Sequence, residues 1–437
     1  MAVSECGALD GDVYLKVLLI GSYNGQDSFG DECLLSSVIA QMTKAFGGKP
    51  RFVSHIEANL EASRAAWPMV TFSGGFAALL AVWRVKLRHL HLPFALTSAI
   101  AFLTFPLYLM GSGAARRAAR QAWTQIGESR LMYFYGGTQL SQQWYTLNMP
   151  GLLLSILACR LRGVPVYFGP QQYGPQSLLQ RTLLRAVNRF LVKDIRVRNA
   201  SCQAMLGLSD SAVLYDEVYS CAARYPVQKQ RANGPGRYLL INCRGSNFLR
   251  PAQEQELFAF VRLVAALQKR MGAPLKLFQM SSASFCDDTL ALDVFRREAP
   301  DLPVETIPYN LTDHELIELA GGAAGTLSMS FHGCILSMIG GAAAVPVTSG
   351  GYYDHKYVDF DKYSGGQNTP LVCLDNPDIE RVADTVAAYF AGYRAEQTAA
   401  TRTAAARRME EWYARVGGSP GTAIKECSAE SRPVCAE

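Results

Sequence analysis

Short apolar runs separated by longer helical patterns recur through this chain, and that alternation restricts its fold more than any other feature. Residues 17–20, 131–135, 164–168, 195–197 and 212–215 are apolar but for Arg196 and rich in β-branched or aromatic side chains, as strands are. Between them, stretches such as 153–160 and 179–190 repeat apolar residues at helical spacing. Such alternation builds a parallel sheet with helices on both faces, because each parallel neighbour needs a crossover.

A chain of 437 residues is too long for one ordinary core. The pattern breaks at 225–237, where Pro226, Lys229, Arg231, Gly234, Pro235 and Gly236 make a polar linker. A second unit then starts with the strand 238–244. It continues through the helix 251–271, the strand 275–279, the helix 287–298 and a strand around Val304, and ends near Cys373. The expectation is an α/β protein of two doubly wound, Rossmann-like halves, 12–222 and 237–376. A C-terminal helix over 377–416, rich in Ala, Arg and Glu, and a disordered tail over 417–437 would follow. Two such halves with a terminal helix resemble the GT-B architecture, whose ligands bind between the halves, beyond the carboxyl ends of the strands.

The net charge of +5 is mild and its basic residues are scattered, which argues against nucleic acid as a partner. Eleven cysteines run from Cys6 to Cys435 with no C-x-x-C pair and no clustering with histidine, the pattern of free thiols in a reducing compartment. No metal site is expected. Residues 1–12 contain Glu5 and Asp10 and lack a basic region and an apolar core, so no signal peptide and a cytoplasmic protein are expected.

Ser330, Phe331, His332 and Gly333 carry the clearest chemical signal. A small-residue turn from Gly321 leads into a strand ending before Ser330, and an unbroken apolar run follows from Cys334 to Ile339. His332 would therefore sit at a helix N-terminus, where free N–H groups and the helix dipole attract anions and an imidazole can exchange a proton with the bound group.

Further motifs surround it in order. Residues 17–24 lead to Ser28, Phe29, Gly30, Asp31 and Glu32. Gly136-Gly137-Thr138-Gln139-Leu140 closes the run at 131–135, and Gly169-Pro170-Gln171-Gln172-Tyr173-Gly174-Pro175 closes the next. Val197-Arg198-Asn199-Ala200-Ser201 and Tyr353-Asp354-His355-Lys356 complete the set. In that order the motifs resemble the polysaccharide pyruvyltransferase family: its Asn-x-Gly-Asp-Glu turn, its GG-x-Q-L and GQ-x-x-GP loops, its R-D-x-x-S element and one version of its C-terminal signature. Pro170 and Asn199 depart from it, and Ser330 stands where the family's other version of that signature has arginine.

The resemblance implies an enzyme that transfers pyruvate from phosphoenolpyruvate to two hydroxyls of a sugar, forming a cyclic ketal and releasing phosphate, with phosphoenolpyruvate as co-substrate and no other cofactor. The acceptor would belong to a bacterial surface polysaccharide or its lipid-linked precursor. Such chemistry needs a proton donor and groups for the donor's phosphate and carboxylate. His332 is the expected acid. Arg198, Arg244, Ser330, Gly333 and Lys356 are expected on the donor side, and Asn24, Asp27, Asp31, Gln139 and Gln171 on the acceptor side. Asp31 and Glu32 would equally serve as helix-capping charges. Two alternatives stay open: a GT-B glycosyltransferase using a nucleotide sugar, with Asp359-Phe360-Asp361 as a metal-binding D-x-D, and a non-catalytic membrane-bound scaffold of polysaccharide assembly. Oligomeric state is not legible.

An apolar insertion over 67–115 is the last feature. Two uncharged runs, 67–83 and 92–115, flank a basic bridge of Arg84, Lys86, Arg88, His89 and His91, and Arg116, Arg117 and Arg120 follow. The second run approaches the length of a membrane span. Spanning would place parts of one sheet on opposite sides of the bilayer, so the expectation is a segment dipping into an anionic inner leaflet with Trp83 and Tyr108 at the interface. Buried core helices are the competing expectation.

Overall fold

The computed structural model describes residues 15–23, 28–48, 50–56, 59–226, 238–244, 253–283, 286–287, 289–309, 311–350 and 352–418. In the first half, β1 (Lys16–Gly21), α1 (Phe29–Ala45), β2 (Arg51–His55), α2 (Leu60–Ala66) and β3 (Val70–Ser73) are followed by α3 (Phe76–Lys86), α4 (Phe94–Leu103), α5 (Phe105–Gly111) and α6 (Gly113–Gly127). Then come β4 (Leu131–Tyr135), α7 (Gln142–Leu161), β5 (Val166–Gln171), α8 (Leu178–Phe190), β6 (Asp194–Val197), α9 (Ala200–Leu206) and the single turn α10 (Glu217–Ser220). The second half runs β7 (Leu239–Asn242), α11 (Gln253–Met271), β8 (Leu275–Leu277), a two-residue hairpin β9 (Ser282–Ala283) and β10 (Cys286–Asp287), α12 (Thr289–Glu298), β11 (Val304–Thr306) and α13 (Asp313–Gly321). It finishes with β12 (Gly325–Ser328), α14 (Phe331–Ile339), β13 (Ala344–Thr348), α15 (Tyr352–Lys356), β14 (Val372–Cys373), α16 (Ile379–Gly392) and α17 (Ala395–Gly417).

Each half holds a six-stranded parallel sheet, ordered β3-β2-β1-β4-β5-β6 and β11-β8-β7-β12-β13-β14. Numbered within its own half, each order is 3-2-1-4-5-6, the doubly wound arrangement expected from the alternation. Central strands such as β4 are buried along their whole length, as a sheet covered on both faces requires.

The structure differs from the sequence reading in four places. Residues 212–215 are not a strand: a 3-10 turn at Asp210–Ala212 precedes them, and Val213 makes a single bridge to Val197 before the chain turns into α10. The strands β2 and β3 were hidden by short length and polar residues, and β3 occupies the start of the apolar insertion. The C-terminal helix is two helices, broken where Tyr393 and Arg394 are extended. Tyr225, expected in a loose linker, is buried and donates to Asp313 Oδ2 at 2.6 Å, while residues 227–237 of that linker and the tail beyond Gly418 lie outside the described residues.

One apolar core runs continuously through both halves, from Val17 and Tyr133 in the first to Leu240 and Ile335 in the second. A second lies between the first sheet and α3–α8, and a third packs α11 and α16 on the second sheet. α17 leaves the second half and returns to the first, where Trp412 Nε1 donates to Tyr133 Oη at 3.2 Å and Tyr413 Oη to Glu217 Oε1 at 2.8 Å.

Candidate functional site

Each sheet reverses its strand order at one place, β1 against β4 in the first half and β7 against β12 in the second, and ligands in doubly wound sheets bind beyond the carboxyl ends there. The two reversal points face each other. The start of α1 docks on the segment beyond β8, with Phe29 N donating to Met280 O at 3.0 Å and Ser28 bridged to Ser281.

His332 is the second residue of α14, directly beyond β12, as expected from the small-residue turn and apolar run. Ser330 is the N-cap, its Oγ accepting from Gly333 N at 3.3 Å, so both residues shape the helix start. Ser328 Oγ in turn accepts from Ser330 N at 3.0 Å and lies 3.2 Å from Asn242 Oδ1, which ties α14 to β7. On the other side stands Gly30 at the start of α1, so close that a Cβ there would collide with the imidazole Nδ1. Glycine is required here by proximity, not by backbone angle.

The first half supplies the partner. Asp216, fully buried just before α10, places Oδ2 at 3.6 Å from His332 Nε2 and 2.5 Å from an Arg198 guanidinium nitrogen. At 3.6 Å the imidazole contact is too long for a hydrogen bond, and Nε2 is buried without a hydrogen-bond partner among the described residues. Burial would raise the Asp216 carboxyl, but the Arg198 guanidinium and His332 more than offset this and hold it well below the usual carboxylate range. Arg198 also donates Nε to Pro170 O at 3.0 Å and lies 5.6 Å from the Phe331 ring centre. Its charge is committed to Asp216, in contrast to the donor clamp expected of it.

Around this trio the second half grips the first. Tyr363 Oη accepts from Asp216 N at 3.1 Å, and Lys362 Nζ bonds the Arg198 carbonyl. Burial lowers the Lys362 ammonium to about 8, against the pull of Asp359. Asp359 Oδ2 accepts from Ala200 N at 3.1 Å, and Asp361 Oδ1 from Thr369 N at 2.6 Å. The D-x-D carboxylates thus hold backbone turns. Among the described residues no three His, Cys, Asp or Glu side chains converge as a metal site would require.

Of the remaining expected residues, Arg244 follows β7 at the second reversal point, half-buried, with its N–H 3.5 Å from Met329 Sδ. Lys356 ends α15, also half-buried. Asp31 lies in the first turn of α1, the capping position considered for it. Gln139 follows β4 at the first reversal point, and its carbonyl accepts from Asn148. Gln171 is buried at the end of β5, donating to Phe134 O at 3.3 Å. Asn24 and Asp27 lie outside the described residues. A pocket of about 200 Å³ opens between the halves, lined by Gly174, Asn199, Ser201 and Met205 from one and His355 and Val358 from the other.

Sequence reasoning missed Asp216, Glu217 and Lys362, and placed Gly30 in a motif without foreseeing its contact with His332. The signal for the first two was a pair of adjacent carboxylates directly after an apolar run. Glu217 is fully buried and accepts from Tyr133 and Tyr413 through Oε1 at 2.7 and 2.8 Å. Burial pushes its carboxyl up to about 7 from an ordinary 4.5. The folded protein therefore keeps a proton that the unfolded chain releases between those values, so Glu217 subtracts stability progressively as pH rises through that window. Glu217→Gln is expected to match the parent at pH 5 and to exceed it at pH 8, by on the order of 2 kcal/mol. Thermal unfolding at both pH values measures this, and equal stability at pH 8 contradicts it.

Two facing doubly wound halves, closed by a terminal helix that returns to the first, define a GT-B-like protein. No family model matches the chain, and no curated protein matches it. Among solved structures it is similar to S. aureus MnaA in a co-structure with UDP, at 11% identity over 90% of this chain and 94% of that one, TM-score 0.52. It is also similar to a UDP-N-acetylglucosamine 2-epimerase described from Listeria monocytogenes, at 10% identity over 91% and 94%, TM-score 0.51. The UDP-GlcNAc 2-epimerase of Methanocaldococcus jannaschii matches at 9% identity over 91% and 99%, TM-score 0.51. At such identities the similarity defines the architecture alone.

Proposed function

We propose that this protein transfers pyruvate from phosphoenolpyruvate to two hydroxyls of a sugar, with His332 as the proton donor. In that reaction the enol carbon gains a proton from His332, the central carbon forms bonds to the two sugar oxygens as its bond to the phosphate oxygen breaks, and of the two hydroxyl protons one restores His332 and the other leaves with phosphate. The observation that carries the reading is His332 at the N-terminus of α14, its Nε2 buried without a hydrogen bond beside the Arg198–Asp216 pair. A buried nitrogen in that condition costs roughly 1–3 kcal/mol, and such costs gather at functional sites. The order of the sequence motifs supports the same reading. Because Nε2 is buried, entry of the donor requires the halves to part, and Arg244, which follows β7, then borders the second reversal point.

A second reading is a nucleotide-sugar enzyme. The solved structures sharing the fold support it, since two are named as UDP-GlcNAc 2-epimerases and the third is a co-structure with UDP, and they lend nothing to phosphoenolpyruvate. Incubating the protein with a sugar acceptor and either phosphoenolpyruvate or UDP-sugars separates the two. Acceptor-dependent release of phosphate from phosphoenolpyruvate is the expected result. Turnover of UDP-sugars with none of phosphoenolpyruvate would replace the first reading by the second.

A further inference from the structure

Among the described residues, eighteen large apolar side chains are exposed, and fifteen of them fall between Val82 and Phe190. They are carried by α3–α5 with the loop between, and by α7 and α8, whose inner faces share the core on one side of the first sheet. The layer is thus two-sided. Phe76, Leu80, Phe105 and Ile156 point into that core, while Leu103, Leu107 and Met110 stand 75%, 64% and 72% exposed. The competing expectations for the insertion each describe one side of it. Trp83 and Tyr108, expected at an interface, instead stack on each other at 4.8 Å, and Trp83 donates to Thr104 at 2.9 Å.

Charge gives the outer side its partner. Between Glu61 and Asp194 the chain carries fourteen lysines and arginines and one carboxylate, Glu128, which is bonded to Lys16. Lys86, Arg88, Arg116, Arg117 and Arg120 are exposed around the apolar side chains of α3–α5. An apolar face ringed by cations and nearly free of carboxylates fits a surface that is itself anionic outside and apolar beneath. No single described helix is long and apolar enough to cross a bilayer; α4 and α5 together have the length and composition but bend by 61° at Thr104, where Pro106 starts the second of them. A pair bent so sharply suits a surface better than a straight crossing.

We propose that the outer face of the α3–α8 layer docks peripherally on an anionic phospholipid bilayer, with Leu103, Leu107 and Met110 below the headgroups and the flanking lysines and arginines on lipid phosphates. The proposal is independent of which donor the cleft uses. The test is co-sedimentation of the full chain with phosphatidylglycerol-rich vesicles and with pure phosphatidylcholine vesicles, at low and high salt. Binding to the first, weakened by salt and poor for the second, is expected. Leu103→Glu with Leu107→Glu should lower partitioning by about tenfold or more with an unchanged unfolding midpoint. Arg116→Gln with Arg117→Gln, which leaves the apolar face intact, should reduce binding chiefly at low salt. A parent protein that stays in the supernatant with anionic vesicles overturns the proposal, as does a double glutamate variant that binds like the parent. A dimer dissolved by the glutamates, in a protein that ignores vesicles, assigns the face to a second copy of the chain.

Discussion

His332→Gln is expected to lower turnover about 10²–10⁴-fold while the protein stays folded and still binds its donor. Glutamine keeps a hydrogen-bond donor of similar reach but cannot deliver a proton, so it separates acid catalysis from anion binding. The site makes the comparison clean. The side chain lies between Gly30 and Asp216 at the start of α14, so a residue of similar size is held in the same place. Turnover with phosphoenolpyruvate and a sugar acceptor, beside donor binding by calorimetry, gives the split. A Gln variant with most of its activity would make the imidazole a positioning group and move the acid elsewhere, with Asp31 and Lys356 the next residues to test.

Removing Asp216 should have the largest effect on stability. Asp216→Ala leaves the Arg198 guanidinium buried with no carboxylate, an uncompensated charge that costs about 3–5 kcal/mol. It also removes the acceptor for Val218 N, at 2.8 Å, and the group facing His332 Nε2. Adding Arg198→Met should restore much of that stability, because an apolar side chain needs no counter-charge among Phe331 and its neighbours. Activity should not return with it, since His332 would still lack Asp216. Chemical denaturation of the single and double variants measures the first effect and turnover the second. A double variant no more stable than Asp216→Ala would show that Arg198 is not the charge Asp216 neutralises.

The two sheets were legible because buried parallel strands are nearly continuous apolar runs, and 17–20, 131–135 and 195–197 each became one. β2 and β3 were not, because Arg51, Ser54, His55, Thr71 and Ser73 interrupt strands of only five and four residues. His332 was placed correctly on its helix because glycines and small residues mark the strand-to-helix turn locally. Asp216 was not foreseen as its neighbour, because that contact joins residues 116 positions apart and depends on how two halves meet. Periodicity says nothing of such contacts. For the same reason the sequence offered Arg198 as an open clamp, when its partner lies beyond α9. The insertion was read as either membrane-facing or buried because apolar content does not say which side of a helix layer is covered.

The returning helix α17 also sets an order of assembly. Trp412 and Tyr413 lie against Tyr133, Tyr167 and Glu217, deep in the first half, yet they are among the last described residues to leave the ribosome. During synthesis the part of the first sheet's face which α17 covers, beside α1, therefore stays open until the whole second half has been made, and the first half completes its core only then. A nascent chain of this design depends on protection from aggregation for longer than its division into halves suggests, and fragments ending at the linker inherit the same open face.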